Sequence, residues 1–152
     1  MKLAEALILR ADLKKRMEQL RERVKNSAKV QEGDEPAENV EELGKELDAV
    51  FSQLEDLIYR INVTNIQTVC GGENLTHMLS KKDVLMARLT VLRDIANHIG
   101  STAPRYSRSE IKYVRTIDYA QFRKEVDKYS KELRELDTKI QALNWNVDLL
   151  EA

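Results

Sequence analysis

From Tyr119 to Leu150 an apolar residue returns every three or four positions: Tyr119, Phe122, Val126, Tyr129, Leu133, Leu136, Ile140, Leu143, Val147 and Leu150. No glycine or proline interrupts the run. Alternating steps of three and four put all ten side chains on one narrow face of an α-helix, which cannot be stable in water until another element covers it. Whatever this chain folds into must supply that cover. The same period recurs in three more places, so the cover is helical.

Val40, Leu43, Leu47, Val50, Leu54, Leu57, Ile61, Thr64 and Thr68 form a second seam. Asn39 and Glu42 suit its N-terminal cap, and Gly71 its stop. Gly44 lies inside it, and a close helix approach is expected there. Leu3, Ala6, Arg10, Leu13, Met17, Leu20 and Val24 form a third, widened by Leu7 and Leu9. Leu85, Leu89, Leu92, Ala96 and Ile99 form a fourth, widened by Met86 and Ile95. Ser80 with Asp83, and Asp118 with Gln121, resemble capping boxes, and Gly100 is a good stop. The pattern predicts helices over about Lys2–Ala28, Asn39–Val69, Ser80–Ile99 and Asp118–Leu150, with boundaries uncertain by ~2–4 residues.

Short connections favour antiparallel neighbours. The expected fold class is therefore all-α: one domain, 1–152, built as an elongated antiparallel four-helix bundle with coiled-coil-like seams. Leu47, Leu54, Leu57, Leu89, Leu92, Leu133, Leu136, Ile140 and Leu143 are its expected core. Aromatics at 5%, with five glycines and two prolines, argue against a sheet-rich fold. One short β segment is expected in the connection between the third and fourth helices. There Ile111, Tyr113 and Ile117 alternate with polar residues, apart from Val114. A lone strand needs a partner, and the fourth seam is longer than the third can cover. Both features predict self-association, with Ile111, Tyr113 and Ile117 at or near the contact.

Charged residues are 34% of the chain, yet the net charge is −1. A protein that coats nucleic acid would be strongly basic, so nucleic acid is not an expected partner. No apolar run approaches the ~18 residues of a membrane span, and early charges break any signal-peptide core. The single cysteine, Cys70, cannot form an internal disulfide. These features make the cytoplasm the expected compartment and give no reason to expect a membrane partner. Asn62-Val63-Thr64 and Asn74-Leu75-Thr76 match the glycosylation acceptor pattern, which without secretion is chance.

Two groups of residues are candidates for more than packing. In an antiparallel bundle Arg10, Asn65, Thr68, Arg88, Gln141 and Asn144 fall at similar depth, with Asp137 deeper. They form a polar layer that either fixes register or lines a small-anion pocket. The second group is the third connection. Arg105, Arg108, Lys112 and Arg115, interleaved with Tyr106 and Tyr113, could hold phosphate and stack on bases. Four acidic residues in the first connection, Glu32, Asp34, Glu35 and Glu38, could instead neutralise it.

Catalytic and metal chemistry find no footing. Neither His77 nor His98 has a glutamate three residues before it, as a helical di-metal site requires. Cys70-Gly71-Gly72 has only His77 near it in sequence as a base, and a helix-terminal thiol without a catalytic role is the simpler reading. Gly71-Gly72 lacks the Gly-Lys-Ser/Thr of a phosphate loop. No catalytic residue, metal or cofactor is expected.

Several stretches carry a family resemblance. Lys2-Leu3-Ala4-Glu5-Ala6-Leu7, Val30-Gln31-Glu32-Gly33-Asp34-Glu35-Pro36 and Ile61-Asn62-Val63-Thr64-Asn65 are three of them. Arg105-Tyr106-Ser107-Arg108-Ser109-Glu110-Ile111 and the helix from Arg134 to Trp145 are two more. Together they resemble the septicolysin-like family of small, all-helical, functionally uncharacterised bacterial proteins, over nearly the whole chain. The family label implies a thiol-activated cytolysin. The residues themselves point to a self-associating interaction or scaffold protein, with an anion or nucleic-acid binder as the alternative.

Overall fold

The computed structural model describes residues 1–101 and 111–151. The order of elements is α1 (Leu3–Ser27), α2 (Val40–Gln67), β1 (Val69–Cys70), β2 (Glu73–Asn74), α3 (Leu75–Gly100) and α4 (Tyr119–Asn146). The protein is an all-helical bundle with one two-stranded antiparallel sheet. Two compact units divide it: Met1–Thr76 with Gln141–Ala152, and His77–Ile140.

In the first unit α1 and α2 run antiparallel. Arg16 meets Glu46 at 3.2 Å, and further along Arg23 forks onto Glu38. The buried residues of α1 recur every seven positions, at Ala6, Leu13, Leu20 and Ser27. In α2 the same spacing holds for Leu43, Val50, Leu57 and Thr64, and again for Leu54 and Ile61. Asn39 caps α2 as expected. Its Oδ1 accepts from the Glu41 and Glu42 amides at 3.0 and 3.2 Å, with both acids at the positive end of the helix dipole.

A short β segment exists in the second connection. β1 and β2 pair Val69 with Asn74 and Cys70 with Glu73. Gly71 and Gly72 turn the chain between them with φ of 63° and 81°. Both values lie in the left-handed region, which a two-residue hairpin turn of this kind requires and glycine adopts without strain. The Leu75 amide continues the ladder to the Thr68 carbonyl at 2.8 Å. By contrast, residues 111–115 form no strand. Ile111 and Tyr113 are 93% and 95% exposed.

Helix limits shift at two points. α3 starts at Leu75, five residues before the Ser80 expected to cap it, because the hairpin delivers the chain directly into its first turn. Leu75 and Met78 are consequently buried core residues. α4 stops at Asn146, and the chain then extends alongside the N-terminus. The Leu3 amide donates to the Val147 carbonyl and the Leu149 amide to the Met1 carbonyl, both at 2.9 Å. Lys2 Nζ reaches Asp148 at 2.8 Å.

In the second unit α3 and α4 are also antiparallel. Lys82 meets Asp137 at 2.7 Å, and Arg93 donates to Ser130 at 3.1 Å. Asp118 Oδ1 accepts from the Gln121 amide at 3.1 Å and starts α4. Met78, Leu89, Ala96, Val126 and Ile140 are buried. Of the expected core, Leu54, Leu57, Leu89 and Ile140 are buried, while Leu47, Leu92, Leu133, Leu136 and Leu143 are half-buried. A helix pair closes over the centre of each seam and leaves its shoulders open, which explains the split.

Candidate functional site

Of the basic third connection, Arg105, Tyr106 and Arg108 lie outside the described residues. Lys112 and Tyr113 are exposed. Arg115 is exposed as well but is not idle. Its Nε donates to the Ile99 carbonyl at 3.2 Å, and its guanidinium lies 4.4 Å from the Tyr119 ring centroid. It thus caps the C-terminal end of α3, where the helix dipole favours a cation. Tyr119 is held close to the backbone there. A Cβ at Gly100 would meet its Oη at 2.6 Å, so a larger residue there would push the tip of the Tyr119 ring aside.

The acidic first connection finds a cation within its own unit. Glu38 accepts from Arg23 at Nε and Nη2, and this hydrogen bonding holds its carboxyl below the usual range. Glu38 therefore draws a counter-charge from α1. The antiparallel packing of α1 on α2 puts Arg23 directly beside Glu38.

The seven polar-layer residues divide between the two units. Arg10, Asn65, Thr68, Gln141 and Asn144 belong to the first, Arg88 and Asp137 to the second. Arg88 lies over the Tyr129 ring, 4.7 Å from its centroid, and Asp137 takes Lys82. Asn144 is buried, while Arg10, Asn65 and Thr68 are half-buried and Gln141 is exposed. The fully buried polar hub of the first unit is Thr64. Its hydroxyl donates to the Arg60 carbonyl at 2.7 Å and accepts from the Leu150 amide at 3.0 Å. Arg60 Nε donates to the Leu150 carbonyl at 3.1 Å, completing a clasp on the extended C-terminal segment. Sequence reading placed Thr64 in the seam but missed Arg60. The available signal was a threonine in a run of Leu, Val and Ile, which marks a hydroxyl with a partner.

His77 and His98 are exposed, and Cys70 is half-buried with a free thiol. Among the described residues, no group of three or more His, Cys, Asp or Glu could hold a metal ion. No described helix is long and apolar enough to cross a membrane.

Charge is unevenly shared. The first unit has eleven Lys and Arg against seventeen Asp and Glu, or −6. The second has fourteen against nine, or +5. The near-neutral total conceals two oppositely charged helix pairs.

These features define an all-helical bundle with exposed apolar residues and strong internal charge asymmetry. The chain belongs to a family of unknown function, DUF6847, whose model matches residues 10–149. It is similar to a functionally unknown conserved protein from Corynebacterium diphtheriae of known crystal structure. The two share 44% identity over 99% of each chain, with a TM-score of 0.91. No curated protein matches. The septicolysin-like resemblance is thereby overturned, since the family match and the structural neighbour both lead elsewhere. Amphipathic helices rich in Leu, Glu and Lys look alike in unrelated bundles, which is how the resemblance arose.

Proposed function

We propose that this chain is a cytoplasmic, non-enzymatic protein that self-associates through coiled-coil-like helical surfaces and serves an interaction or scaffold role. The observation that carries this reading is the exposed apolar surface of residues 111–114. Ile111, Tyr113 and Val114 are 93%, 95% and 79% exposed, a concentration that marks contact sites on folded proteins. A single free cysteine suits a reducing compartment. Light scattering over a range of concentrations tests the reading. A mass that rises to a dimer or larger assembly is expected, with Ile111→Ser and Tyr113→Ser weakening it. A monomer at high micromolar concentration overturns it.

A second reading is supported by Lys112 beside the exposed Tyr113 in a unit of charge +5. In this reading the basic segment binds a polyanion, through phosphate contacts and stacking. Heparin or single-stranded RNA would then bind with an affinity that falls steeply as salt rises. Retention that does not change with salt argues against it.

A further inference from the structure

Two exposed helix faces, one on each unit, carry the same residue pattern with opposite charge. On α2, Phe51 and Ile58 are seven residues apart and 47% and 36% exposed. Three residues before each stands an acid, Asp48 and Glu55. On α3, Val84 and Val91 are seven apart and 62% and 57% exposed. Three residues before each stands a base, Lys81 and Arg88. Steps of three and seven keep each set of four on one side of its helix, with the charges along the same flank of the apolar stripe. Neither stripe belongs to the seam its helix buries: those run through Leu43, Val50 and Leu57 on α2, and through Leu89 and Ala96 on α3. A shallow groove along Val84, Leu85 and Arg88 extends the α3 stripe.

We infer that the α2 face of one chain docks antiparallel on the α3 face of a second copy. The proposal rests on self-association and adds to the 111–114 contact a second, register-fixing surface. Handedness selects the direction. When two helices pack antiparallel, corresponding flanks meet, so the acids of α2 face the bases of α3. A parallel arrangement would bring opposite flanks together and leave these charges apart. The antiparallel register that sets Asp48 beside Arg88 and Glu55 beside Lys81 of the second copy brings Phe51 against Val84 between the two charge pairs, with Ile58 and Val91 at the two ends of the contact. Complementary charge fixes the register and excludes the like-with-like contacts α2–α2 and α3–α3, while apolar burial supplies most of the affinity. The oppositely charged units, −6 and +5, draw the same two regions together before contact. Every copy carries both faces, so two contacts can close a pair and one contact per copy extends a row.

The test uses the full chain in two charge-reversed forms. One carries Asp48→Lys and Glu55→Lys, so both of its faces are basic. The other carries Lys81→Glu and Arg88→Glu, so both of its faces are acidic. Each form alone should lose self-affinity by about tenfold or more and run as a monomer at concentrations where the parent assembles. Mixed one to one, the two forms should recover the parent mass, because basic α2 then meets acidic α3 and acidic α2 meets basic α3. Recovery on mixing also excludes misfolding as the cause of the loss. If the parent assembles and the reversed chains assemble equally well, the docking surface is wrong while self-association stands. If the reversed chains fall apart and mixing does not restore them, the pairing is wrong. If the parent never assembles, both readings fail.

Discussion

The two helix pairs share a seven-residue period but differ in how firmly they are closed. α1 and α2 bury Leu13, Leu20, Leu43, Val50, Leu57 and Ile61, and their unit gains the Thr64 clasp on the C-terminal segment. In α3 and α4 the residues of the second unit that reach the same burial are Met78, Leu89, Ala96, Val126 and Ile140. There Leu92, Leu133 and Leu136 remain half-buried. Periodicity therefore specifies which face of a helix turns inward without specifying how much of that face is covered. The coverage comes from additional elements, and the first unit has them in the hairpin and the terminal segment.

Ile61→Ala should break this contrast most strongly. Ile61 is 1% exposed, and its truncation should cost about 2–5 kcal/mol by thermal or denaturant unfolding. Leu136→Ala, at a half-buried position of the second unit, should cost distinctly less. Equal losses would mean that the seams are equally closed. Next in size, Thr64→Val keeps the shape but removes the acceptor of the Leu150 amide, at a cost of about 1–3 kcal/mol. Amide exchange should show that loss at residues 147–150 first.

A smaller effect of opposite sign is expected at Gly44. A Cβ there meets nothing within 4 Å, so the close helix approach expected from the sequence is absent. Gly44→Ala should stabilise α2 by about 0.5–1 kcal/mol. The smallest effect is with acid. Glu38 and Asp148 both have lowered pKa values, through hydrogen bonds from Arg23 and Lys2. A carboxyl depressed in the folded state contributes stability that is present above its unfolded pKa and lost as pH falls through the folded one. The first unit should thus lose a little stability below about pH 4, and Glu38→Gln should remove part of that dependence.

The seams were legible because burial repeats along them. Each seam residue, from Leu3 in α1 to Ile99 in α3 and Tyr119 in α4, is at least half-buried. The hairpin was not legible as a strand pair, because two-residue strands are too short to show alternation, although Gly71-Gly72 marked the turn. Val147 and Leu150 keep the helical period, yet the helix ends at Asn146. Backbone pairing with Met1 and Leu3 is a long-range event that local spacing cannot announce. Of the polar-layer candidates, Asn144 is buried and Thr68 half-buried in the first unit, while Arg88 and Asp137 belong to the second and make contacts with Tyr129 and Lys82 there. The α2 and α3 outer faces are not legible from spacing alone, because a second stripe at the same period has the pattern of an ordinary solvent face.

The Thr64 clasp also sets a timetable for folding on the ribosome. α1 and α2 emerge first and can pair at once, since their contacts are local along the chain. The backbone groups of Met1 and Leu3, and the side chains of Arg60 and Thr64, must wait for residues 147–150 to be synthesised. Until then the first helix pair lacks the backbone and side-chain hydrogen bonds that residues 147–150 supply. Residues 147–150 act as the latch.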